Sequence, residues 1–256
     1  MPDKSVITLF GISGNVMTDS TLFILVHGAW HGAWCWDLTR TILETHGHRV
    51  IAPTLAGLGE RKAERHPGLS LADHIDSIAE LVTRQDGPIV LVGHSYGGVV
   101  VEGVCDRAKE RIAHALFLDS PRPRHGQPAL ANISRDELAE RFGPLVDGYM
   151  APPPPPERFG IAPDHPLRTW FMHQLTDHPV FTFVEPLDLP RGGSTGMSRT
   201  YIRCSRTDAV PETDLELLED GSWSYRQIRS GHDVMLLEPA LTASILMAAA
   251  QHPQSG

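Results

Sequence analysis

The clearest chemical signal in this sequence is a serine flanked by two glycines, in Gly93-His94-Ser95-Tyr96-Gly97. An apolar run, 89–92, precedes it and a helix-compatible run follows, so the pattern predicts a buried strand, a tight turn and a helix. The glycines let the strand and the helix come close, while the turn holds Ser95 in a strained backbone conformation. The hydroxyl then lies at a helix N-terminus, which favours developing negative charge. Ser95 is therefore a candidate nucleophile.

A serine hydroxyl is a weak nucleophile, so this interpretation requires a histidine base and a carboxylate that orients the base. His232 follows the last predicted strand and is the candidate base. Asp208 follows the strand before it and is the preferred acid. Asp119 also follows a predicted strand and stays open as an alternative acid. Because parallel strands end at the same edge of a sheet, we expect these side chains to meet there.

A loop rich in glycine and aromatic residues follows the first predicted strand. Gly28 lets the backbone of this loop approach a substrate closely, and we predict that the N–H groups of Ala29 and Tyr96 form an oxyanion hole. His27 and His31 have the i,i+4 spacing of some metal ligands, but the loop does not look helical and no cysteine or carboxylate set accompanies them. We therefore assign both histidines a structural role and predict no metal and no cofactor.

The elements that must position these residues alternate between strand and helix. The predicted strands are apolar, β-prone runs, mostly continuous as in a parallel sheet buried on both faces, at 21–26, 48–53, 89–92, 113–118, 199–204 and 224–228. Besides the helix after Ser95, the predicted helices lie at 37–45, 70–84, 214–219 and 238–250. Ser70 and Asp73 form a predicted capping box. This order predicts an α/β fold, with a mainly parallel sheet and helices on both faces, over residues 21–120 and 199–252.

Residues 121–198 break the alternation and are rich in proline, including the run 152–156. Because a structureless loop of this length is uncommon in a compact domain, we interpret the segment as a mostly helical cap insertion over the site. Its predicted helices lie at 135–142, after an N-cap at Ser134, and at 167–175. An apolar substrate pocket is expected beneath the cap. Its predicted lining residues are Gly28, Trp30, Met150, Trp170, Phe171 and Phe181.

Composition limits the classes of partner. The chain has 256 residues, 41% of them apolar, which suits a soluble domain with one insertion. A formal net charge of −9 argues against nucleic acid or an anionic membrane, and no apolar run is long enough to span a bilayer. The three cysteines have neither metal-site nor disulfide-framework spacing. We interpret residues 1–20 as a leader, either disordered or a tag; it lacks signal-peptide features, so we expect a cytoplasmic protein.

Four segments together carry a resemblance to a known family. They are 26–34, the serine turn at 93–98, Thr207-Asp208-Ala209-Val210-Pro211 and Gly231-His232-Asp233-Val234-Met235. These segments resemble the branch of the α/β-hydrolase fold family that contains plant methylesterases, hydroxynitrile lyases and related bacterial esterases. The resemblance covers about residues 20–250 and is weakest in the cap. It implies an α/β-hydrolase fold, a triad of Ser95, Asp208 and His232, and oxyanion donors at Ala29 and Tyr96.

Two departures bear on the reaction within that branch. The lyases carry a threonine where this chain has Gly28, and a lysine, which helps to stabilise departing cyanide, where this chain has Asp233. Both differences favour ester hydrolysis, so we predict a serine esterase that cleaves a small to medium hydrophobic carboxylic ester through an acyl-enzyme. A carbon–carbon lyase or cofactor-free oxygenase on the same scaffold, and a small-molecule receptor, are the alternatives. The acyl and alcohol groups stay open, as does the oligomeric state, for which a homodimer is one candidate.

Overall fold

The computed structural model describes residues 20–130, 133, 137–207 and 209–251. Six longer strands lie in the described residues, together with one two-residue pair. The strands are β1 (Leu22–Val26), β2 (Arg49–Ile51), β3 (Ile89–His94), β4 (Ile112–Leu118), β5 (Met150–Ala151), β6 (His178–Pro179), β7 (Arg199–Ser205) and β8 (Ser224–Arg229).

Helices connect these strands. They are α1 (Asp37–Thr45), α2 (Leu71–Thr83), α3 (Tyr96–Ala108), α4 (Leu138–Phe142), α5 (Arg168–Gln174), α6 (Phe181–Val184), α7 (Glu212–Glu219), α8 (Val234–Leu237) and α9 (Pro239–Gln251). Short 3₁₀ turns lie at Ala33–Trp36, Gly59–Glu64, Lys109–Arg111 and Pro156–Phe159. Across the described ranges, each helix is too short or too polar to cross a bilayer.

The six longer strands form one sheet in the order β2-β1-β3-β4-β7-β8, and all neighbouring pairs are parallel. The register of the strands determines which residues meet at the carboxyl edge of the sheet. His94 at the end of β3 pairs with Leu118 at the end of β4, which in turn pairs with Ile202 of β7. Ser95 and Asp119, each one residue further along, therefore leave the sheet side by side.

Both faces of the sheet are buried under helices. Along β1, Leu22, Ile24 and Val26 point into one apolar cluster, and Phe23 and Leu25 point into another. The first cluster also contains buried residues of α2 and α3, and the second contains residues of α1 and α9. Alternate side chains of a parallel strand face opposite layers, which is why β1 is a continuous apolar run.

This architecture confirms the predicted parallel sheet with helices on both faces. Each of the six predicted core strands is present, and α1 has the predicted bounds. The predicted capping box begins α2: the Ser70 hydroxyl accepts a hydrogen bond from the Asp73 N–H at 3.0 Å, and the Asp73 carboxylate accepts one from the Ser70 N–H at 2.9 Å. The capping box of α2 and the helices on both faces of the sheet were thus predictable from the sequence.

The segment 121–198, which joins β4 to β7, is less helical than predicted. Its described residues contain the short helices α4, α5 and α6 and the antiparallel pair β5–β6, and turns and loops connect them. Frequent proline and positive-φ glycines, such as Gly143 and Gly160, stop helices after one or two turns. The predicted helix 167–175 is confirmed as α5, while Ser134 and residues 135–136 lie outside the described residues. So do residues 1–19 of the predicted leader.

Candidate active site

Ser95 occupies the turn between β3 and α3 in a strained backbone conformation. Its φ of 51° and ψ of −125° lie outside the regions that side chains with a Cβ normally adopt. A Cβ on Gly97 would lie 2.5 Å from the His27 carbonyl oxygen, and one on Gly98 would lie 2.0 Å from the Ser120 hydroxyl. Glycine at these positions lets α3 start directly against the ends of β1 and β4. The half-buried Ser95 side chain lines a cavity at the carboxyl edge of the sheet.

His232 and Asp119 line the same cavity and are in direct contact. The Nδ1–H of His232 donates to Oδ2 of Asp119 at 2.6 Å. This contact fixes the tautomer, because a proton on Nδ1 leaves Nε2 able to accept one. The described residues include no hydrogen bond between the Ser95 hydroxyl and the His232 ring; such bonds are often long in a free enzyme.

Among the described residues, the acid that contacts the histidine is thus the alternative, Asp119. Asp208 lies outside the described residues, so the structure gives no contact for it. Asp119 follows β4 with a φ of 46°, and its N–H donates to the Ile202 carbonyl at 2.7 Å. That bond continues the sheet ladder by one residue and holds the carboxylate at the edge next to Ser95.

Arg203 holds the other oxygen of Asp119. Its Nη1–H donates to Oδ1 of Asp119 at 3.1 Å, and its Nε and Nη2 bind the buried carboxylate of Asp214 at 2.7 and 2.6 Å. The bidentate contact with Asp214 raises the pKa of Arg203 well above its usual value. Sequence reasoning missed this arginine. The available signal was a charged residue at the carboxyl end of a strand that is otherwise buried.

Charges around His232 favour its protonated form. Burial alone would lower its pKa, but the hydrogen bond that the ring donates to Asp119 and the negative charge of Asp233 outweigh burial, and the pKa is raised above 6.5. Arg203 acts in the opposite sense. The neighbouring His94 is fully buried, and its Nε2–H donates to the His232 backbone carbonyl at 3.0 Å. His94 therefore packs against His232 and holds its backbone in position.

Backbone geometry in the loop after β1 is set by buried histidines. The Leu55 N–H donates to Nε2 of His27 at 3.0 Å, so the ring proton is on Nδ1, which donates to the Gly28 carbonyl at 2.8 Å. In a trans peptide the N–H points opposite to the carbonyl, so this bond also sets the direction of the Ala29 N–H. A Cβ on Gly28 would lie 3.0 Å from the Ser95 Cβ, which explains the need for glycine there.

Two lobes of the cavity meet at Ser95, Asp119 and His232. One, of about 720 Å³, is polar and includes Arg122, Arg203, Glu212 and Glu216 in its wall. The other, of about 800 Å³, includes Ala29 and Tyr96, the predicted oxyanion donors. Its large apolar wall residues come from the loop after β1 and from the segment 121–198: Trp30, Leu130, Phe142, Phe159 and Phe183.

Among the predicted pocket residues, only Trp30 belongs to these walls. Met150 and Phe171 are buried, and Phe171 packs in the core cluster beneath the sheet. Phe181 packs against a small apolar cluster of the segment 121–198. Trp170 is 40% exposed and lies against Trp34, with ring centroids 5.3 Å apart. Apolar side chains of this segment are thus used for packing rather than for the cavity wall.

Trp30 is held in the wall by the inserted segment. Its φ of 65° is unusual for a bulky residue. Its ring N–H donates to the Ala151 carbonyl at 3.1 Å, and its carbonyl accepts from the Thr176 N–H at 2.9 Å. Its backbone N–H points to Nδ1 of the buried His178 at 3.4 Å. These contacts connect the wall of the lobe that contains Ala29 and Tyr96, called the apolar lobe below, to the loop after β1, called the oxyanion loop below.

His94, His232 and Asp233 place potential metal-ligand atoms within 4.8 Å of one another. One polar atom of each residue is bound to another group, however. His94 Nε2 donates to a backbone carbonyl, and Oδ2 of Asp233 accepts from Nε2 of His31 at 2.8 Å. These contacts fix three of the cluster's polar atoms, while Nδ1 of His94 and Oδ1 of Asp233 have no partner among the described residues.

Comparisons with known proteins point to one fold. The family model described as "Alpha/beta hydrolase family" matches residues 23–245. The "Carbendazim hydrolyzing esterase" of Nocardioides sp. is 34% identical over 239 residues, which cover 88% of this chain and 98% of that protein. Methylesterase 1 of Arabidopsis thaliana is 36% identical over 209 residues, covering 74% of this chain and 80% of the relative. The solved structure of an extracellular alpha/beta-hydrolase from a Paenibacillus species superposes with a TM-score of 0.73 at 24% identity, covering 90% of this chain and 98% of the other.

Proposed function

Since this chain belongs to the α/β-hydrolase family, we propose that it is a serine esterase in which Ser95, His232 and Asp119 form the catalytic triad. The observation that carries the proposal is the 2.6 Å contact from His232 Nδ1 to Asp119 at the wall of the cavity that Ser95 also lines. The esterase names of the Nocardioides and Arabidopsis relatives support ester hydrolysis as the reaction.

The first half of the proposed reaction acylates Ser95. His232 Nε2 takes the hydroxyl proton as Ser95 Oγ attacks the ester carbonyl carbon, and Asp119 stabilises the resulting imidazolium. The N–H groups of Ala29 and Tyr96 bind the oxyanion of the tetrahedral intermediate. When that intermediate collapses, His232 returns the proton to the leaving alcohol. A water molecule, activated by the same histidine, then attacks the acyl-enzyme, and the carboxylic acid departs with Ser95 restored.

The apolar lobe supports a hydrophobic substrate. Its volume of about 800 Å³ suits a small to medium ester, and Trp30, Phe142 and Phe183 provide an aromatic wall. The position of Asp233 argues against the lyase alternative. Its side chain is fully buried and bonded to His31, so the place taken by a cyanide-stabilising lysine in the lyases holds an inward-facing carboxylate here.

The test is hydrolysis of p-nitrophenyl esters of increasing acyl length by the wild type and by Ser95→Ala. We expect kcat/KM of the variant to fall by at least about 10³-fold, because the nucleophile is lost while binding is kept. Ser77→Ala, a change on α2 away from the cavity, serves as the matched control. Equal rates for wild type and Ser95→Ala would overturn the proposal, as would cyanide release from mandelonitrile without ester turnover.

A further inference from the structure

Asp233 is adjacent to His232 in the chain, but its side chain serves a different set of contacts. It is fully buried and absent from the described walls of both cavity lobes. Its Oδ2 accepts from Nε2 of His31 at 2.8 Å. Its Oδ1 finds no hydrogen-bond partner among the described residues and lies 3.8 Å from Nε2 of His94. A buried carboxylate with an unsatisfied oxygen is costly, so its retention calls for a reason.

His31 connects this carboxylate to the oxyanion loop. Its second ring nitrogen, Nδ1, lies 2.6 Å from the carbonyl oxygen of Ala29. Both ring nitrogens thus face acceptors, which requires either a protonated imidazole beside a carboxylate or one proton carried on Asp233. A carboxylate at Asp233 stands next to the proposed base, because one of its oxygens lies within 4.8 Å of a ring nitrogen of His232. Stacking on Trp34, with centroids 5.1 Å apart, restricts rotation of the His31 ring.

The two peptide groups that flank Ala29 are therefore both fixed from outside the loop. His27 binds the Gly28 carbonyl, which sets the peptide that carries the Ala29 N–H. His31 binds the Ala29 carbonyl, which sets the next peptide. With both planes held, the donor direction of Ala29 is determined before substrate binds, which is the condition for an effective oxyanion hole.

We infer that His31 and Asp233 are a positioning pair: they anchor the oxyanion loop to the segment that carries His232, and the Asp233 carboxylate supports the imidazolium formed on His232 during the reaction. The inference rests on the proposed esterase function. Neither residue touches the reacting atoms. Asp233 acts on the oxyanion hole through His31, and on the base through its charge.

The charge effect has to be separated from other groups around His232. Asp119 at the end of β4 and Asp233 both raise its pKa, whereas Arg203 of β7 lowers it. The neutral His94 ring lies at 4.7 Å between centroids, and burial keeps its pKa well below the usual value. Asp119 and Asp233 are thus the two negative charges that support a protonated His232.

Two substitutions separate the two effects. In Asp233→Asn the amide N–H can donate to Nε2 of a neutral His31, whose Nδ1–H still binds Ala29. The contacts are kept, while the carboxylate next to His232 and the proton it shared with His31 are lost. We expect kcat on its high-pH plateau to stay within a few-fold of wild type and the acidic limb of kcat/KM to move to lower pH.

In His31→Gln the amide can still reach Asp233, but the Ala29 carbonyl loses its donor. We expect kcat to fall about 10- to 100-fold, with KM little changed and the limb unmoved.

The experiment measures pH profiles of kcat and kcat/KM for wild type, both variants and the exposed controls Asp76→Asn and His46→Gln, which should match wild type. An NMR titration of the His232 ring in wild type and Asp233→Asn gives a readout that needs no substrate and confirms the fold. An unshifted His232 titration in Asp233→Asn, or a wild-type kcat in His31→Gln, would overturn the inference. Ester turnover that is the same in wild type and Ser95→Ala would instead overturn the proposed function and the oxyanion part, while the titration would still decide the charge part.

Discussion

Asp119 sets both the orientation and the charge state of the proposed base. Its Oδ2 accepts the Nδ1–H of His232, and its charge raises the pKa of that ring. In Asp119→Asn the amide N–H would face Nδ1 and move the ring proton to Nε2, the atom that must accept a proton from Ser95. We expect kcat/KM at neutral pH to fall by about 10⁴-fold. The residual activity should persist to lower pH, because loss of the carboxylate lowers the histidine pKa.

The same measurement on Asp208→Asn decides between the two aspartates named by the sequence. With Asp119 as the acid, Asp208→Asn should retain most of the wild-type kcat/KM and an unshifted acidic limb. The reverse pattern, a large loss for Asp208→Asn and a small one for Asp119→Asn, would contradict the assignment.

Arg203 affects the base with the opposite sign. It binds Asp119 and lowers the pKa of His232, while its bidentate contact with Asp214 keeps the guanidinium in place. Arg203→Lys keeps the charge but loses the planar fork, so we expect a fall in kcat of about tenfold or more with the acidic limb unmoved. Arg203→Gln should add a shift of the limb to higher pH. Profiles of kcat/KM against pH test this pair, and a limb that moves equally in both variants would contradict it.

The turn between β3 and α3 depends on the absence of side chains where two strands meet a helix. A Cβ on Gly97 would lie 2.5 and 2.6 Å from the carbonyl oxygens of His27 and Val26, which are backbone atoms that cannot rotate away. We expect Gly97→Ala to lower the free energy of unfolding by about 3 kcal/mol and to abolish most hydrolysis, because α3 must move away from β1. Urea denaturation measures the first effect.

A matched alanine shows whether the cause is the close approach or glycine itself. Gly68 lies in an exposed turn, and its nearest neighbour to an added Cβ is the His66 side chain at 3.5 Å. Gly68→Ala should change the free energy of unfolding by less than about 1 kcal/mol. A Gly97→Ala protein as stable as Gly68→Ala would show that the helix can shift without cost.

Sequence patterns predicted those elements for which the local residue types and the pattern of burial indicate the same secondary structure. Strands β1 and β3 are fully buried and were recognisable as apolar runs, and Ser70 with Asp73 marks the start of α2. The segment 121–198 was predicted less well, because proline and glycine set its path and its apolar residues show no periodicity. Trp30, in the loop that follows β1, is one of the residues that line the described cavity.

The sequence predicted which strand ends carry the site residues, but not which of their side chains are in contact. Ser95, Asp119 and His232 follow parallel strands and lie at one edge of the sheet, and the same pattern predicts Asp208 there. The choice between Asp119 and Asp208 depends on side-chain direction at that edge, which spacing does not encode. The link from Asp233 to His31 joins residues 202 positions apart, and adjacency to His232 gave no sign of it.

The molecule as a whole buries many histidines in their neutral form. Burial lowers the pKa of His27 to about 3, of His74 to about 4 and of His114 to about 4, and it holds those of His94 and His178 well below 6.5. They lie in the oxyanion loop, on α2, between β4 and β7, and around the cavity. Each occupies a fixed hydrogen-bonding position that a protonated ring would disturb.

This arrangement predicts acid sensitivity. As pH falls below 6.5, these histidines bind protons in the unfolded chain but not in the folded one, so the free energy of unfolding falls until about pH 4, where the folded rings also titrate. His232, whose pKa is raised, acts in the opposite sense but is a single group. Between pH 6.5 and 5.5 each buried histidine should contribute a loss of about 1 kcal/mol.

Urea denaturation at pH 7.5, 6.5 and 5.5, at constant ionic strength, measures this dependence. His114 bridges Ser198 and Thr200 through its two ring nitrogens, at 2.8 and 2.9 Å, and does not line the described cavity walls. His114→Asn should therefore reduce the pH slope by one histidine's share, whereas His46→Asn, at an exposed position, should leave it unchanged. A free energy of unfolding that is flat from pH 7.5 to 5.5 would mean that the buried rings take up protons without disturbing the fold.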